Sequence, residues 1–236
     1  IKYGIIRDRD FFEYLEGMKL YPNIARGIKG AKQPRGFKKE PLTLPQISEL
    51  LNSIDRTTLE GKRNFALINL GIRTAVRSVE IVRANVGDIS QKSGTAVLYI
   101  QGKGRDSKDE LVVLTHETLK PIMDYLKARG KANDGEALFA SVSDRNFGKR
   151  LTTRSISRIV KDQLRAINLD SKRLSCHSLR HSSITLLLLG NGTLEEGRLL
   201  ARHSSLDTTA IYAHHLNRIR HGRGQQLRAR REREEL

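Results

Sequence analysis

Apolar residues recur with a helical period along most of the chain. Ile47, Leu50, Leu51 and Ile54, for example, fall at i, i+3, i+4 and i+7, which places them on one face of a helix. The same reasoning predicts helices near residues 1–18, 43–54, 62–72, 77–84, 119–126, 156–164, 177–189, 194–201 and 206–213. These apolar faces indicate a packed core and carry no information about function.

The period changes between residues 96 and 114. Residues 96–100 and 111–114 are β-branched and apolar, and they flank a polar segment, 101–110, that contains Gly102 and Gly104. This arrangement predicts a β-hairpin with a basic turn. The sequence therefore predicts an α+β fold that is mainly helical, with one small antiparallel sheet in its first half.

The charge of the chain favours a polyanionic partner. Of 236 residues, 43 are Lys or Arg and 26 are Asp or Glu, which gives a formal charge of +17, and nucleic acid is the usual partner of so basic a domain. Residues 19–39 hold seven basic residues and no acidic ones, a linker composition. We predict that this linker contacts DNA phosphates through Lys29, Lys32, Arg35, Lys38 and Lys39. The alternative is a basic loop without a fixed partner.

The sequence lacks the features of disulfide-bonded, membrane-spanning and secreted proteins. Cys176 is the single cysteine, so no disulfide can form within the chain, which fits a reducing cytoplasm. No apolar stretch reaches the roughly 20 residues that span a bilayer, and no signal peptide is visible. The chain opens on Ile1 rather than Met. We therefore expect a piece of a longer cytoplasmic protein of bacterial, archaeal or phage origin.

The segment most informative about chemistry is residues 175–215. His177 and Arg180 are three residues apart and share a helix face, while His203 and Tyr212 are nine apart. Each signal is weak when taken alone. A His-x-x-Arg pair is usually a surface ion pair or a cap, and a tyrosine near a helix end is usually packing.

Taken together, these residues resemble the C-terminal signature of the tyrosine recombinase family, the XerC/XerD-like and phage-integrase-like site-specific recombinases. The matching C-terminal positions are His177, Arg180, His181, His203-Ser204-Ser205, Thr208, Thr209, Ile211, Tyr212 and His214. The family's earlier arginine matches Arg77, followed by Glu80 and Asp88; Arg73 is the weaker choice because it lacks a Glu three residues later. The family's hairpin lysine matches Lys103 in Gly-Lys-Gly, with Lys108 as the alternative.

The resemblance implies a metal-free and ATP-free mechanism of strand cleavage. In it, Tyr212 is the nucleophile and forms a 3′-phosphotyrosyl ester. Arg77 and Arg180 stabilise the charge on the phosphate. Lys103 protonates the leaving oxygen and His177 acts as general base or acid. His203 binds a phosphate oxygen and Glu80 supports Arg77.

The chain departs from the family pattern at three places. Ala75 replaces the usual Gly before the first arginine, and Ala201-Arg202 replaces the usual Leu-Gly before His203. The lysine hairpin ends in Asp109-Glu110, where a basic residue is common. None of these changes removes a reactive group, and Arg202 is expected to add charge near the phosphate.

The resemblance also implies a domain layout and partners. Residues 1–18 match the end of an N-terminal DNA-binding helical domain, 19–40 a basic linker and 41–215 the catalytic domain. Residues 216–236 form a tail that either docks on a neighbouring protomer through Leu216, Ile219 and Leu227 or binds DNA nonspecifically. The implied partners are double-stranded DNA with a specific site and further copies of the chain, as a tetramer.

Three alternatives remain open. One alternative is a zinc site, although no HExxH motif is present. The candidate ligands are Cys176, His177, His181, His203, His214 and His215. A DNA-binding protein that does not cut would share the charge and the fold. A type IB topoisomerase would use similar chemistry on one strand.

Overall fold

The computed structural model describes residues 2–27, 39–102, 106–213 and 216, with the side chains of residues 2–9 outside that description. The chain divides into two compact units between residues 37 and 38. The first unit contains helix α1, Lys2–Gly17, which confirms the helix predicted at 1–18. The large apolar side chains of Phe11, Tyr14 and Met18 in this unit are more than half exposed.

The described part of the second unit is mainly helical. Its helices are α2 Leu44–Asn52, α3 Leu59–Thr74, α4 Ser78–Arg83, α5 His116–Arg129, α6 Thr153–Ala166, α7 Cys176–Leu189, α8 Leu194–Ala201 and α9, residues 206–213. Threonine begins several of them. Thr43, Thr58, Thr152 and Thr193 each precede a helix and accept a hydrogen bond from a backbone N–H of its first turn. That bond satisfies a donor that the helix itself leaves unpaired.

A three-stranded antiparallel sheet interrupts the helices, in the order β1 (Ile89–Lys92), β2 (Thr95–Ile100), β3 (Glu110–Val113). Strands β2 and β3 form the predicted hairpin, with Val97 opposite Val113. Strand β1 was not expected from the sequence. Three of its four residues are exposed, so it lacks the alternation of buried and exposed positions that predicts a strand.

Helix α3 lies at the centre of the second unit. Leu67, Ile68 and Leu70 are fully buried although they point to different sides of the helix, as expected for a helix that is packed all round. It packs chiefly against α5 and α7. Burying one such side chain stabilises the fold by about 1.5–3 kcal/mol. The end of α3 is thereby fixed beside α7, and the residues after it begin the polar centre described below.

The predicted fold class is confirmed: a mainly helical α+β fold with a small antiparallel sheet. Within the described residues, the structure contains no helix that is both long and apolar enough to cross a membrane.

Candidate active site

Arg77 lies in the loop between α3 and α4 and is held by Glu80. Helix α3 ends at Ala75, whose φ of 52° is left-handed. Arg77 then precedes α4, and its backbone N–H donates to Glu80 Oε2 at 2.8 Å while its Nη1 donates to Oε1 at 2.6 Å. Glu80 is fully buried, whereas 29% of the Arg77 side chain is exposed. This loop therefore presents a partly accessible guanidinium above a buried carboxylate.

Arg180 comes from the first turns of α7 and is buried. Its Nη1 donates to the carbonyl oxygen of Ala75, and its Nη2 donates to that of Ala201. Burial, and then the charges of Arg77 and Arg202, lower the pKa of its guanidinium to about 10. It therefore remains a cation at neutral pH, and it joins the end of α3 to the end of α8. Nε and one hydrogen on each terminal nitrogen are left over from these two bonds.

Arg202 follows α8 and points inward, toward Glu80 rather than toward solvent. Its side chain is 10% exposed, and its Nη2 donates to Glu80 Oε2 at 2.8 Å. Its backbone carbonyl in turn accepts from Nη2 of Arg77 at 3.3 Å. The reason is local geometry: Arg202 has a φ of 52° and a ψ of 50°, so the chain turns back on itself after α8.

His203 and Tyr212 are brought together by the turn between α8 and α9. Nδ1 of His203 lies 2.9 Å from Oγ1 of Thr209 on α9. The rings of His203 and Tyr212 are nearly stacked, with centroids 6.4 Å apart. Burial, and then the charges of Arg180, Arg77 and Arg202, lower the pKa of His203 to about 4. His203 is therefore neutral at pH 7 in this structure.

The hydroxyl of Tyr212 lies 2.6 Å from Nδ1 of His181. Tyr212 is 3% exposed, and burial raises the pKa of its phenol to about 12 despite the opposing charges of Arg180 and Arg77. Burial, and then the charges of His177, Arg180 and His203, lower the pKa of His181 to about 4. A protonated phenol thus faces a neutral imidazole.

His181 is the residue whose position the sequence did not reveal. It stands in the quoted motif, but the role of general base or acid was assigned to His177. In the structure His177 is an exposed residue in the first turn of α7, and partial desolvation by its neighbours, followed by the charges of Arg180 and Lys39, lowers its pKa. His181 is one helical turn further on, which places it next to α9. The i, i+4 spacing indicates that the two histidines share one face of α7, but it does not distinguish between them.

The remaining predicted residues are distributed as follows. Lys103, Lys29, Lys32, Arg35 and Lys38 lie outside the described residues. Lys108, the alternative to Lys103, is ion-paired with Asp88 at 2.5 Å. Lys39 donates to the carbonyl of Lys172. Arg73 is exposed, bonds Asn69 and lines a groove between α3 and α5 rather than the site of Arg77.

The zinc alternative gains no support from the geometry. Among the described residues, no three His, Cys, Asp or Glu side chains are close enough to hold a metal ion. Cys176 is buried, and burial raises the pKa of its thiol to about 12, so the thiolate that zinc requires is disfavoured. His214 and His215 lie outside the described residues.

The assembled residues define an anion-binding centre next to a phenol. Arg77, Arg180 and Arg202 surround Glu80 and carry a net charge of +2 together with it. Guanidinium forks suit phosphate oxygens because they stay charged and donate in pairs. A tyrosine hydroxyl with an imidazole against it can act as a nucleophile once the proton moves. This arrangement brings together the chemical groups that phosphoryl transfer through a tyrosine would require.

The chain belongs to the phage integrase family, whose sequence profile matches residues 40–218. It is 35% identical over 213 residues to tyrosine recombinase XerC of Caldanaerobacter subterraneus subsp. tengcongensis, covering 87% of this chain and 56% of that protein. It is 34% identical over 187 residues to a tyrosine recombinase of Synechococcus elongatus, covering 78% of this chain and 57% of that one. The chain thus spans little more than half the length of these two relatives.

Solved structures share the fold. XerH recombinase bound to a palindromic difH substrate matches with a TM-score of 0.65 and 24% identity, covering 86% of this chain and 60% of that one. A λ integrase dimer bound to a COC′ core site matches with a TM-score of 0.60 and 15% identity, covering 87% and 72%. The family profile and the relatives confirm the family predicted from the motifs, and the solved structures confirm the predicted fold.

Proposed function

We propose that this chain is the cutting part of a site-specific DNA recombinase, which breaks and rejoins strands through a 3′-phosphotyrosyl intermediate. One observation carries the proposal: Tyr212 lies close enough to Arg180 and Arg77 for their charges to lower the pKa of its hydroxyl, against the larger effect of burial. The names of the relatives, tyrosine recombinases, point to the same reaction. The two solved structures cited above are recombinases bound to DNA.

The reaction begins with attack of Tyr212 on a backbone phosphorus. The phenolic O–H bond breaks as the oxygen–phosphorus bond forms, and the bond from phosphorus to the 5′ oxygen breaks. The phenolic proton passes to an imidazole and the 5′ oxygen receives a proton, so charge is balanced. The ester keeps the energy of the broken bond. A second strand's 5′-hydroxyl can then reverse the step without ATP or a metal ion.

The arginines stabilise the transition state. Charge develops on the equatorial phosphate oxygens. Fixed donors aimed at that charge lower the barrier because they need not reorganise during the reaction. Arg77 offers an accessible fork, and Arg180 retains donors beyond its two carbonyl bonds. We assign His203, which is neutral and near Tyr212, as a hydrogen-bond donor to a phosphate oxygen. We assign the leaving-group proton to Lys103.

The partners follow from charge and relatedness. The formal charge of +17 favours double-stranded DNA, with the basic linker, residues 19–40, on the phosphates. We further propose that four copies act on two duplexes and that the tail, residues 216–236, docks on a neighbouring copy. Residues 1–18 would then be the end of an N-terminal DNA-binding domain, and the reaction would take place on the DNA in the cytoplasm.

The proposal is tested with the full-length protein and a nicked duplex that carries its site. The nick lets the cleaved end diffuse away and traps the ester. We expect a protein–DNA adduct on a denaturing gel that resists a chelator and disappears in Tyr212→Phe. Absence of the adduct in the wild type would overturn the proposal. Relaxation of supercoiled plasmid without a paired site would assign a topoisomerase activity instead.

A further inference from the structure

Arg202 occupies a backbone position that favours glycine. Its φ of 52° and ψ of 50° are left-handed, and it ends α8 immediately before His203. A residue with a side chain is strained in this conformation. The family pattern quoted above has glycine at this position. The arginine side chain is therefore an addition of this chain, and its contacts indicate what it does.

The guanidinium of Arg202 joins three segments of the centre. Its Nη1 donates to the carbonyl oxygens of Leu200 at 3.0 Å and Thr74 at 3.2 Å. Its Nη2 donates to Glu80 and, at 3.3 Å, to Ala75. The carbonyl of Ala75 also accepts from Arg180. Arg202 thus contacts the end of α3, the start of α4 and, through one shared carbonyl, the arginine of α7.

The charge around Glu80 depends on Arg202. Oε1 of Glu80 accepts from Arg77, and Oε2 accepts from the Arg77 backbone and from Arg202. Burial alone would raise the pKa of Glu80, but the charge of Arg202, followed by the bonds from Arg77, lowers it. With both arginines the trio carries +1. Without Arg202, the Glu80 carboxylate would neutralise the charge of Arg77, and the remaining pair would carry no net charge.

We infer that Arg202 is a positioning residue for strand transfer: it offsets the charge of Glu80 and holds the Thr74–Ala75 backbone, so that Arg77 keeps its charge and orientation for the phosphate. The inference rests on the proposed function. It adds to the role expected from the sequence, since the Arg202 guanidinium is directed at Glu80 and at the Thr74–Ala75 backbone. Glu110 of β3, 3.7 Å from its Nε, extends the network to the sheet.

Arg202→Met tests the inference, because methionine keeps the aliphatic length and removes the charge. Adduct formation on the nicked duplex is followed in single turnover over a range of DNA concentrations. We expect the rate constant at saturating DNA to fall about tenfold or more, with the half-saturating concentration changed less than about threefold, as for loss of transition-state stabilisation. Arg202→Lys, which restores the charge, should recover part of the rate.

A second variant separates positioning from simple support of the fold. If Arg202 offsets the charge of Glu80, then removing that charge should relieve the defect caused by the loss of Arg202. Glu80→Gln combined with Arg202→Met should therefore react faster than Arg202→Met alone. If Arg202 only supports the fold, loss of a second buried partner should slow the reaction further. Arg165→Met is the matched control, since Arg165 pairs with Asp162 and Asp170 at the surface.

The possible outcomes distinguish failure of the role inferred for Arg202 from failure of the proposed function. An adduct in the wild type together with a wild-type rate in Arg202→Met would overturn the role of Arg202 and leave the proposed function standing. The same holds if the double variant is slower than the single one. No adduct in the wild type would overturn the proposed function itself. Melting curves of every variant ensure that rates are compared on folded protein.

Discussion

The hydroxyl of Tyr212 is hydrogen-bonded to Nδ1 of His181, at 2.6 Å, and their rings lie 5.4 Å apart. Because the pKa of the phenol is raised to about 12 and that of the imidazole lowered to about 4, the proton stays on the tyrosine across the neutral range. The two groups therefore keep one protonation state between these values. In that state the imidazole can accept the proton when the oxygen attacks.

Replacing His181 should change the pH dependence of cleavage. With a neutral imidazole present, we expect a flat rate of adduct formation between about pH 6 and 9. In His181→Ala the reaction needs the tyrosinate, whose fraction rises about tenfold per pH unit below its pKa. The rate should then be lower at pH 7 and climb with a logarithmic slope near one. Single-turnover rates on the nicked duplex measure this.

His116→Ala is the control, because His116 is an exposed residue at the start of α5. It should keep the flat profile. A flat profile in His181→Ala would show that the hydrogen bond does not serve proton transfer. A substrate with sulfur at the 5′ bridging position sharpens the test. A thiolate leaves without a proton, so a defect at His181 should persist while a defect at Lys103 should vanish.

Arg180→Lys should impair both cleavage and folding. A lysine cannot reproduce the geometry in which two separate nitrogens donate to the carbonyls of Ala75 and Ala201, since its three N–H donors share one nitrogen. We expect the rate of adduct formation to fall about 10²–10³-fold, the range for loss of one preorganised donor. The melting temperature should fall as well, because a buried carbonyl loses its partner.

The exposed Arg154→Lys provides a comparison with the same chemical change outside the site. It should leave both quantities at the wild-type values. Activity of Arg180→Lys within about threefold of the wild type would mean that charge alone, without the fork, suffices at this position.

The stability of the folded chain should decrease on acidification. The pKa values of His181 and His203 fall from 6.5 to about 4 on folding. Between these values the unfolded chain binds more protons than the folded one, so the free energy of unfolding rises with pH. Stability is therefore full above pH 6.5 and is lost progressively as the pH falls toward 4. Thermal melting from pH 7.5 to 4.5 measures the slope.

The variant with both histidines replaced by Ala should melt at lower temperature but depend less on pH in this window. An unchanged slope in that variant would assign the acid sensitivity to other groups.

Gly61→Ala should destabilise the second unit. A Cβ at Gly61 would lie 1.6 Å from the carbonyl oxygen of Asp55, so the backbone before α3 must move. We expect a loss of about 1–3 kcal/mol in the free energy of unfolding, as for other overpacked sites. Gly135→Ala is the comparison, because a Cβ there meets nothing within 4 Å. Urea unfolding of the two variants checks the difference, and equal midpoints would contradict it.

The sequence predicted most of the helices because their apolar positions repeat with the helical period. It predicted Arg77, Arg180, His203 and Tyr212 as a group because their spacing matches a family signature, and the structure brings all four to one centre. Their individual catalytic roles stay predictions. Helix α3 is longer than predicted, starting at Leu59, because its first turn is set by the Thr58 cap rather than by an apolar stripe.

Two features of the site could not be obtained from the sequence. The partner of Tyr212 depends on how α7 packs against α9, and spacing along one helix does not fix which of two histidines faces another helix. The inward course of Arg202 depends on a left-handed φ after α8, a value that sequence predicts for glycine and not for arginine. Both are consequences of tertiary packing.

Helix α7 and the segment before it are hydrogen-bonded to the first residues of the second unit. The backbone N–H of Leu42 donates to Oγ of Ser182 at 2.7 Å, and Glu40 exchanges hydrogen bonds with Arg173 just before the helix. A mechanical load applied to the chain at residue 39 would therefore be transmitted to α7 within three residues. The helix that receives that load holds Arg180 and His181, the residue whose Nδ1 is hydrogen-bonded to the hydroxyl of Tyr212.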